Sequence, residues 1–592
     1  MIRLIAASTA WLATVALSAA ALAAQEPHSS LDGRLTAEPP IALAAPSGDA
    51  RAAANPAEGS LTAPSLIAVP FGYAARVQEA LETNAPISVQ NSGEPIAAAV
   101  REFYAARVFA PVWTNSKGPL PRADSLLAAV LAATDDGLEP SDYITPMVQS
   151  LFLAKDEAGL AALEAALTWA FVHLISDLDT GRTVPNEVDP ELFVHPHDID
   201  PAALLSNAAV LPDVQAFIAS HAPQTDDYRN LKAALARYRA IERLGGWTQM
   251  SDGEILRPGY RGPRIQELKR VLSERGESVL SDDDYYDEAL TEAVKSFQVR
   301  HGLSPDGAFG PSTRGALNMS VAERIEQIVI NMERRRWMPD HLGERYAFGN
   351  LANFRLEVVY GKEVVYETRV VIGTDADRTP VFSDRMTYLV INPYWNIPPS
   401  IAREEMLPQL RADPYSLERK GIRVFSSWSA NAQEIDPGMI DWHGVSSRRF
   451  PFKLRQDPGN GNALGRVKFM FPNQFNIYLH DTPSKALFQR TVRAFSHGCI
   501  RVEEPFRLAK LLLQDDPRWT DERFEQELAG FERRIVTLPT PIDVHLTYLT
   551  SWVDRQGVVQ FRDDVYGRDG RLSAALAATR QSNSSSAGFV RN

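Results

Sequence analysis

The stretch Tyr478-Leu-His480-Asp481-Thr-Pro483 and, after a gap, Ala494-Phe-Ser496-His497-Gly498-Cys499-Ile-Arg501-Val502 hold the residues on which the reading of this chain turns. Cys499 is the only cysteine among 592 residues, so no intramolecular disulfide framework exists. A thiolate, not a thiol, is the nucleophile, so a reactive cysteine needs a base or a positive surrounding. His497 stands two residues before Cys499 and Arg501 two residues after it. Gly498 lets the backbone turn sharply and approach a ligand closely. The helix that follows, Pro505 to Leu513, adds positive dipole if its start points at the sulfur. Tyr478 and His480 lie at i and i+2 of a strand pattern, so both face one side. A Cys–His pair with an orienting acceptor is the logic of nucleophilic catalysis, although a strand-end histidine also has a purely structural reading.

Working outward, the sequence around this stretch has a period of two. Phe354–Tyr360 and Glu363–Gly373 flank the two-residue turn Gly361-Lys362 and read as a hairpin. Met386–Asn392, Lys468-Phe-Met-Phe and Asn476–His480 read as further strands. Val544–Trp552 and Val558–Arg562, joined by Asp554–Gly557, read as a closing hairpin within 551–579, and 580–592 as a disordered tail. Residues 400–468 are irregular and rich in Pro, Gly, Ser and Asn, which fits a lobe inserted over a site. His443 in that lobe is read as structural.

Upstream, the pattern is helical. Residues 73–250 carry repeated i, i+3, i+4 apolar spacing and read as an all-helical scaffold. His195-Pro-His197-Asp198 has two histidines and an acid but no third and fourth ligand nearby, so it reads as a loop and not a metal site. Residues 256–318 form three short helices, the first with its apolar face at 265, 268, 271 and 272. Helix returns over 319–344.

The N-terminus reads as an export signal over 1–24. Arg3 precedes an apolar run from Leu4 to Leu22, and Ala21-Leu-Ala23 fits small-x-small cleavage. An uncleaved membrane anchor is the alternative, and no later segment reads as long and apolar enough to span. The Ala/Pro-rich segment 25–72 reads as a flexible linker. Lys plus Arg total 61 against 74 Asp plus Glu, a net charge of −13, which argues against a nucleic-acid partner. At 45% hydrophobic and 23% charged, the chain is neither collagen-like, wholly disordered nor a multi-span membrane protein.

These words together resemble two known families. Leu268 and Leu272, Val294-Lys-Ser-Phe297-Gln298, His301-Gly302-Leu303, Asp306-Gly307 and Gly310-Pro-Ser-Thr313 resemble the three-helix peptidoglycan-binding domains of cell-wall enzymes. His480, then Ser496-His497-Gly498-Cys499-Ile500-Arg501, resembles the active site of the L,D-transpeptidases, and the chain over about 75–550 resembles their large multidomain proteobacterial branch. Val371-Ile-Gly373, Arg378-Thr-Pro380, Asn392-Pro393 to Pro399, Asn462-Ala-Leu-Gly465 and Phe471-Pro-Asn match as well.

The resemblance implies an α+β multidomain protein. Its parts would be the helical scaffold, the peptidoglycan-binding domain, and a mainly β catalytic domain over 345–550 with a capping lobe at about 400–468. It implies Cys499 as nucleophile and His480 as base, with a partner near Asp481 or Ser496 setting the tautomer of His480, and His497 lining the site. It implies an oxyanion hole from the N–H groups of Gly498 and Cys499 with the Tyr478 hydroxyl. Arg501 would order the turn or contact a substrate carboxylate. Trp395 and Asn396 would line a donor groove, with core packing the other reading of Trp395.

The implied activity is periplasmic 3→3 cross-linking of peptidoglycan with release of D-Ala, open to carbapenem inhibition. No metal or cofactor is implied. The implied partners are stem peptides, glycan strands and cell-wall synthesis proteins, with no nucleic acid, and a membrane only with an uncleaved signal. Two alternatives share the sequence features. One is an L,D-carboxypeptidase or a hydrolase releasing wall-bound protein. The other is a non-catalytic wall-binding scaffold.

Overall fold

The computed structural model describes residues 71–83, 93–278, 281–446, 448 and 450–586. The predicted signal and nearly all of the predicted linker lie outside these residues. The chain divides into two compact units: residues up to 132 with 140–174 and 200–219, and residues 133–139, 175–199 and 220 onward.

The smaller unit is helical. Its helices include Gly93–Ala106, Pro121–Ala132, the first part of Glu157–Asp179, and Pro201–Val210, with one two-residue ribbon, Thr114–Asn115 against Gly118–Pro119. Its core holds a charged residue. The Glu164 carboxylate accepts hydrogen bonds from the backbone N–H of Val112 (2.5 Å), Trp113 (2.9 Å) and Thr114 (2.8 Å), and from the hydroxyls of Tyr104 and Thr114. Five donors offset the desolvation of a carboxylate that burial pushes up in pKa. Helix Glu157–Asp179 corrects one expectation, because it is long and apolar enough to span a membrane. Its apolar residues are core residues: Leu160, Leu163, Leu167, Phe171 and Leu174 are fully buried.

The helical segment 73–250 is shared between the two units. Residues 175–199 and 220–250 belong to the larger unit. Buried polar contacts place them there. The Arg336 guanidinium reaches the Tyr228 hydroxyl at 2.9 Å, and Glu333 accepts from the N–H of Arg182 (2.6 Å) and Thr183 (3.0 Å).

Within the larger unit, helices Pro263–Glu274, Glu288–Arg300 and Pro311–Asn318 enclose Ile265, Leu268, Val271, Leu272, Leu290, Val294, Phe297 and Leu317. The stripe expected at 265, 268, 271 and 272 is the buried one. Buried Gln298 organises the following turn, donating to Asp306, Ala308 and Thr313 and accepting from Gly307 N–H at 3.0 Å.

The same unit contains a ten-stranded sheet. Its order runs Val467–Met470, Leu479–His480, Ile500–Val502, Glu363–Gly373, Arg355–Tyr360, Arg345–Asn350, Arg534–Thr547, Val381–Ile391 and Leu192–Phe193. Val467–Met470 pairs with Val381–Ile391 as well, which closes the sheet on itself, and Ala494–Ser496 pairs beside Ile372–Gly373. The expected hairpin 354–373 is present. The expected strand Val544–Trp552 is not a hairpin arm. Val544–Thr547 ends the fourteen-residue strand Arg534–Thr547, which lies parallel to Arg345–Asn350. The strand stops where the side chains of Asn350 and Asn331 accept the N–H groups of Leu549 and Thr550. The hairpin is therefore shorter, Ser551–Val553 against Val559–Phe561. Arg568–Ser586 is a helix, not hairpin or disordered tail. The Asp564 carboxylate accepts the N–H groups of Arg568 and Asp569 and starts it.

The inserted lobe is more regular than its sequence. It enters before residue 400, through strand Trp395–Asn396, and Val467–Met470 already belongs to the main sheet. Four short strands pair in the order Glu434–Ile435, Ile422–Phe425, Lys453–Gln456, Trp395–Asn396. They pack with helices around Ile397, Leu407, Leu410, Val424, Trp442 and Leu454. His443 is exposed on the lobe.

Candidate active site

Three adjacent strands build the site. Phe469 pairs with Leu479, and Leu479 with Ile500. All three are buried in the sheet's apolar core. Alternation along each strand then sends their neighbours to the opposite face. Lys468, His480 and Arg501 are consecutive register partners there. The Ile500 N–H donates to the Tyr478 carbonyl at 3.1 Å, which brings Cys499 beside Tyr478. Tyr478 and His480 rings lie 5.7 Å apart, and Lys468 Nζ sits 3.5 Å from the Tyr478 ring centroid.

His480 is buried, and its Nδ1 lies 2.5 Å from the backbone oxygen of Asp481. A carbonyl only accepts, so Nδ1 carries the proton and Nε2 is the free base. The acceptor is thus the main chain of Asp481 and not its carboxylate. That carboxylate accepts from Arg466 N–H (2.9 Å) and from Lys485 Nζ (2.7 Å). Ser496 does not set the tautomer either: its hydroxyl donates to the Cys499 carbonyl at 2.6 Å and ties the turn.

Burial, then the charge of Arg501, lowers the His480 pKa to about 3, against the opposing pull of the Asp481 and Leu464 carbonyls. Burial pushes the Cys499 thiol up, opposed by the backbone and hydroxyl of Tyr478 and by Lys468 and Arg501. The thiol and the imidazole are therefore both neutral at rest, and the Cys499 thiol donates to the Asn476 carbonyl at 3.7 Å. Lys468, pushed down to about 8 chiefly by burial, and Arg501 place positive charge near Cys499. Arg501 Nε is buried and has no hydrogen-bond partner among the described residues.

Gly498 has φ +98°, a backbone that favours glycine. Its carbonyl accepts from the Thr379 hydroxyl at 2.7 Å, and that hydroxyl accepts from Gly373 N–H at 2.9 Å. The Tyr566 hydroxyl donates to the Gly373 carbonyl at 2.7 Å. Thr379→Val keeps the shape and removes both bonds. It is expected to destabilise the larger unit by about 1–3 kcal/mol in a denaturant melt and to slow acylation of Cys499 about tenfold. Unchanged stability would show that Thr379 does not hold the turn.

His497 is half-exposed and faces the lobe: its Nε2 lies 2.7 Å from Glu405 Oε1. Trp395 packs against the lobe's apolar core and Asn396 is exposed on the lobe strand; neither joins the interactions around Cys499 set out above. Lys468, Thr379, Tyr566 and Glu405 escaped the sequence reading. Only Lys468 left a local trace, as a lone cation at an alternating position of a strand otherwise made of Val467, Phe469 and Met470. His197 pairs with Asp179 at 3.1 Å. Among the described residues, no group of three or more His, Cys, Asp or Glu is placed to hold a metal ion.

Comparison with known families adds the decisive observation: the L,D-transpeptidase catalytic domain family matches residues 344–519. These residues form an L,D-transpeptidase catalytic domain. The transpeptidase domain is joined by a match to the "Putative peptidoglycan binding domain" over 261–317 and to a scaffold domain over 98–235. A Haemophilus influenzae protein named "Putative L,D-transpeptidase" is 34% identical over 251 residues, covering 42% of this chain and 49% of that protein. The chain therefore spans about half the length of that relative. Solved L,D-transpeptidases from Xylanimonas cellulosilytica and Stackebrandtia nassauensis align over 50% of this chain and 98% and 96% of theirs, at 15% and 13% identity. Their TM-scores are 0.16 and 0.19. The transpeptidase sheet extends past the family match, since Arg534–Thr547 lies between two of its strands.

Proposed function

We propose that this protein is a periplasmic L,D-transpeptidase that forms 3→3 cross-links in peptidoglycan through a thioester on Cys499. The observation that carries the reading is Cys499 beside Tyr478 on the polar face of the sheet, with His480 held as a neutral base by the Asp481 carbonyl. Cys499 gives its proton to His480 Nε2 as its sulfur bonds the carbonyl carbon of the third stem residue. The oxyanion takes N–H groups at Gly498 and Cys499 and the Tyr478 hydroxyl. Collapse breaks the bond to D-Ala, whose nitrogen takes the proton from His480. An amine of a second stem then loses a proton to His480, attacks the thioester, and the released thiolate recovers that proton.

The capping lobe supports transfer over hydrolysis: the Glu405–His497 contact sets it beside the turn that carries Cys499, and a site covered by such a lobe disfavours water as the acceptor. The export reading of residues 1–24 supports a periplasmic location.

The test is intact-protein mass spectrometry after incubation with a carbapenem and, separately, with disaccharide-tetrapeptide, with Cys499→Ala as control. An adduct on the unsubstituted chain only, with 3→3 dimers from tetrapeptide, is the expected result. Tripeptide without dimer would make the protein a carboxypeptidase. No adduct and no turnover would leave a wall-binding scaffold.

A further inference from the structure

A cavity of about 320 Å³ lies in the larger unit, walled by the loop Gly302–Pro305 of the peptidoglycan-binding domain, by Ala352–Arg355, and by the loop 488–493 that runs into the catalytic turn. Five arginines line it: Arg355, Arg369, Arg490, Arg493 and Arg562. Asp563 is the one acid among its lining residues. Arg355 pairs outward with Glu367 at 2.6 Å and Arg369 with Glu503 at 2.5 Å, and neither glutamate lines the cavity. Arg490, Arg493 and Arg562 form no ion pair among the described residues. Arg493 donates to the carbonyls of Val370 and Phe354, and Arg562 to Asn353 and the carbonyls of Arg300 and Phe561, all neutral acceptors.

This concentration of like charge is unfavourable. Arg493 is pushed down to about 10, first by burial and then by repulsion from Arg355 and Arg369. Arg562 is pushed to the same value by burial, Arg355 and Arg493. Five guanidinium groups against the single lining acid Asp563, with only Arg355 and Arg369 in ion pairs, leave an excess of positive charge suited to an anion, and their planar forks match carboxylate oxygens two at a time. The cavity volume falls in the range of small-ligand pockets, and one wall belongs to the peptidoglycan-binding domain.

We propose that this cavity binds the carboxylates of a peptidoglycan stem peptide at a site separate from Cys499. The inference rests on peptidoglycan being the substrate, as proposed above. The location gives the site a consequence. The Arg493 carbonyl accepts from Ile372 N–H at 2.9 Å, and the Ser496 carbonyl from Thr374 N–H at 2.9 Å, so the cavity's 488–493 wall is in register with the catalytic turn. A stem held there steadies the segment that carries Cys499.

The test uses the full chain bearing Cys499→Ala and a disaccharide-tetrapeptide carrying a photoreactive group, with cross-links mapped by peptide mass spectrometry. Cross-links to 302–305 and 488–493 are expected. Arg490→Gln should reduce them about tenfold. Arg490 is exposed, so this change leaves the fold intact; Arg355→Gln is the second variant and should act alike. The same probe with its carboxyls amidated should give none. Cross-links confined to the neighbourhood of Cys499, or insensitivity to both substitutions, would overturn the proposal. Inorganic phosphate displacing the probe at equal concentration would assign the cavity to a free phosphate instead. Failure of the transpeptidase reading shows separately, as absence of a carbapenem adduct on the chain with Cys499 intact.

Discussion

His480→Gln is expected to acylate Cys499 with a carbapenem about 10²–10⁴-fold more slowly than the unsubstituted chain, the range over which a positioned base accelerates proton transfer. Glutamine keeps a hydrogen-bond donor for the Asp481 carbonyl but offers no basic nitrogen to the thiol. The loss is large because the thiol is not ionised at rest. Burial pushes its pKa up while it pushes His480 down to about 3, so the proton must move during attack. The pH dependence separates this from a preformed thiolate–imidazolium pair. His480 stays a free base down to about pH 3, so acylation should stay level between about pH 5 and 8, then rise toward alkaline pH as thiolate accumulates. The variant should lose the level region and follow thiolate alone. A bell-shaped profile with a limb near 6.5 in the unsubstituted chain would sink the neutral-pair account. The same shift bears on stability, because the folded ring refuses a proton that the unfolded ring takes at the ordinary 6.5. Its contribution is therefore present above that pH and is lost as pH falls from about 6.5 toward 3.

The parts legible in the sequence were those whose periodicity is local. The apolar face at 265, 268, 271 and 272 and the hairpin around Gly361-Lys362 need no knowledge of distant residues, and both are found where the pattern puts them. Strand Arg534–Thr547 was hidden because Pro539 and Pro541 interrupt it; the register with Val381–Ile391 shifts between Thr537 and Ile542 to accommodate them. Helix Arg568–Ser586 was hidden by Gly570 and by weak amphipathicity, since its start is fixed by Asp564 and by the buried pair of Arg334 with Asp569. The lobe's strands are two to four residues long, too short for alternation to show. At the site, the motif named Cys499, His480 and Gly498, but the main-chain acceptor of His480 and the hydroxyl that holds Gly498 follow only from pairing residues more than a hundred apart, or from the path of the backbone.

Arg568→Ala is expected to destabilise the larger unit by about 3 kcal/mol, the lower end for removing one partner of a buried ion pair, measured by denaturant unfolding. Arg568 and Asp189 are both buried and meet at 3.3 Å, and Arg568 also reaches Glu191 at 3.0 Å. Arg571 and Arg378 still face Asp189 in the variant, which sets the lower end of the range. Arg571→Ala is the matched control. It pairs with Asp189 at 2.5 Å, but its side chain is 41% exposed, so its loss should cost about 1 kcal/mol or less. The shorter contact should thus matter less, because water replaces a surface guanidinium and cannot replace a buried one. Arg568 also acts toward the site. It donates to the Thr379 carbonyl at 3.4 Å and lies 4.9 Å from the ring of Tyr566, whose hydroxyl holds Gly373. Thr379 in turn holds the Gly498 carbonyl. Acylation per folded molecule should therefore fall with Arg568→Ala and stay unchanged with Arg571→Ala. Equal losses of stability in the two variants would show that burial does not decide the strength of these pairs. Acylation per folded molecule unchanged by Arg568→Ala would show that the C-terminal segment stabilises the domain without positioning its catalytic turn.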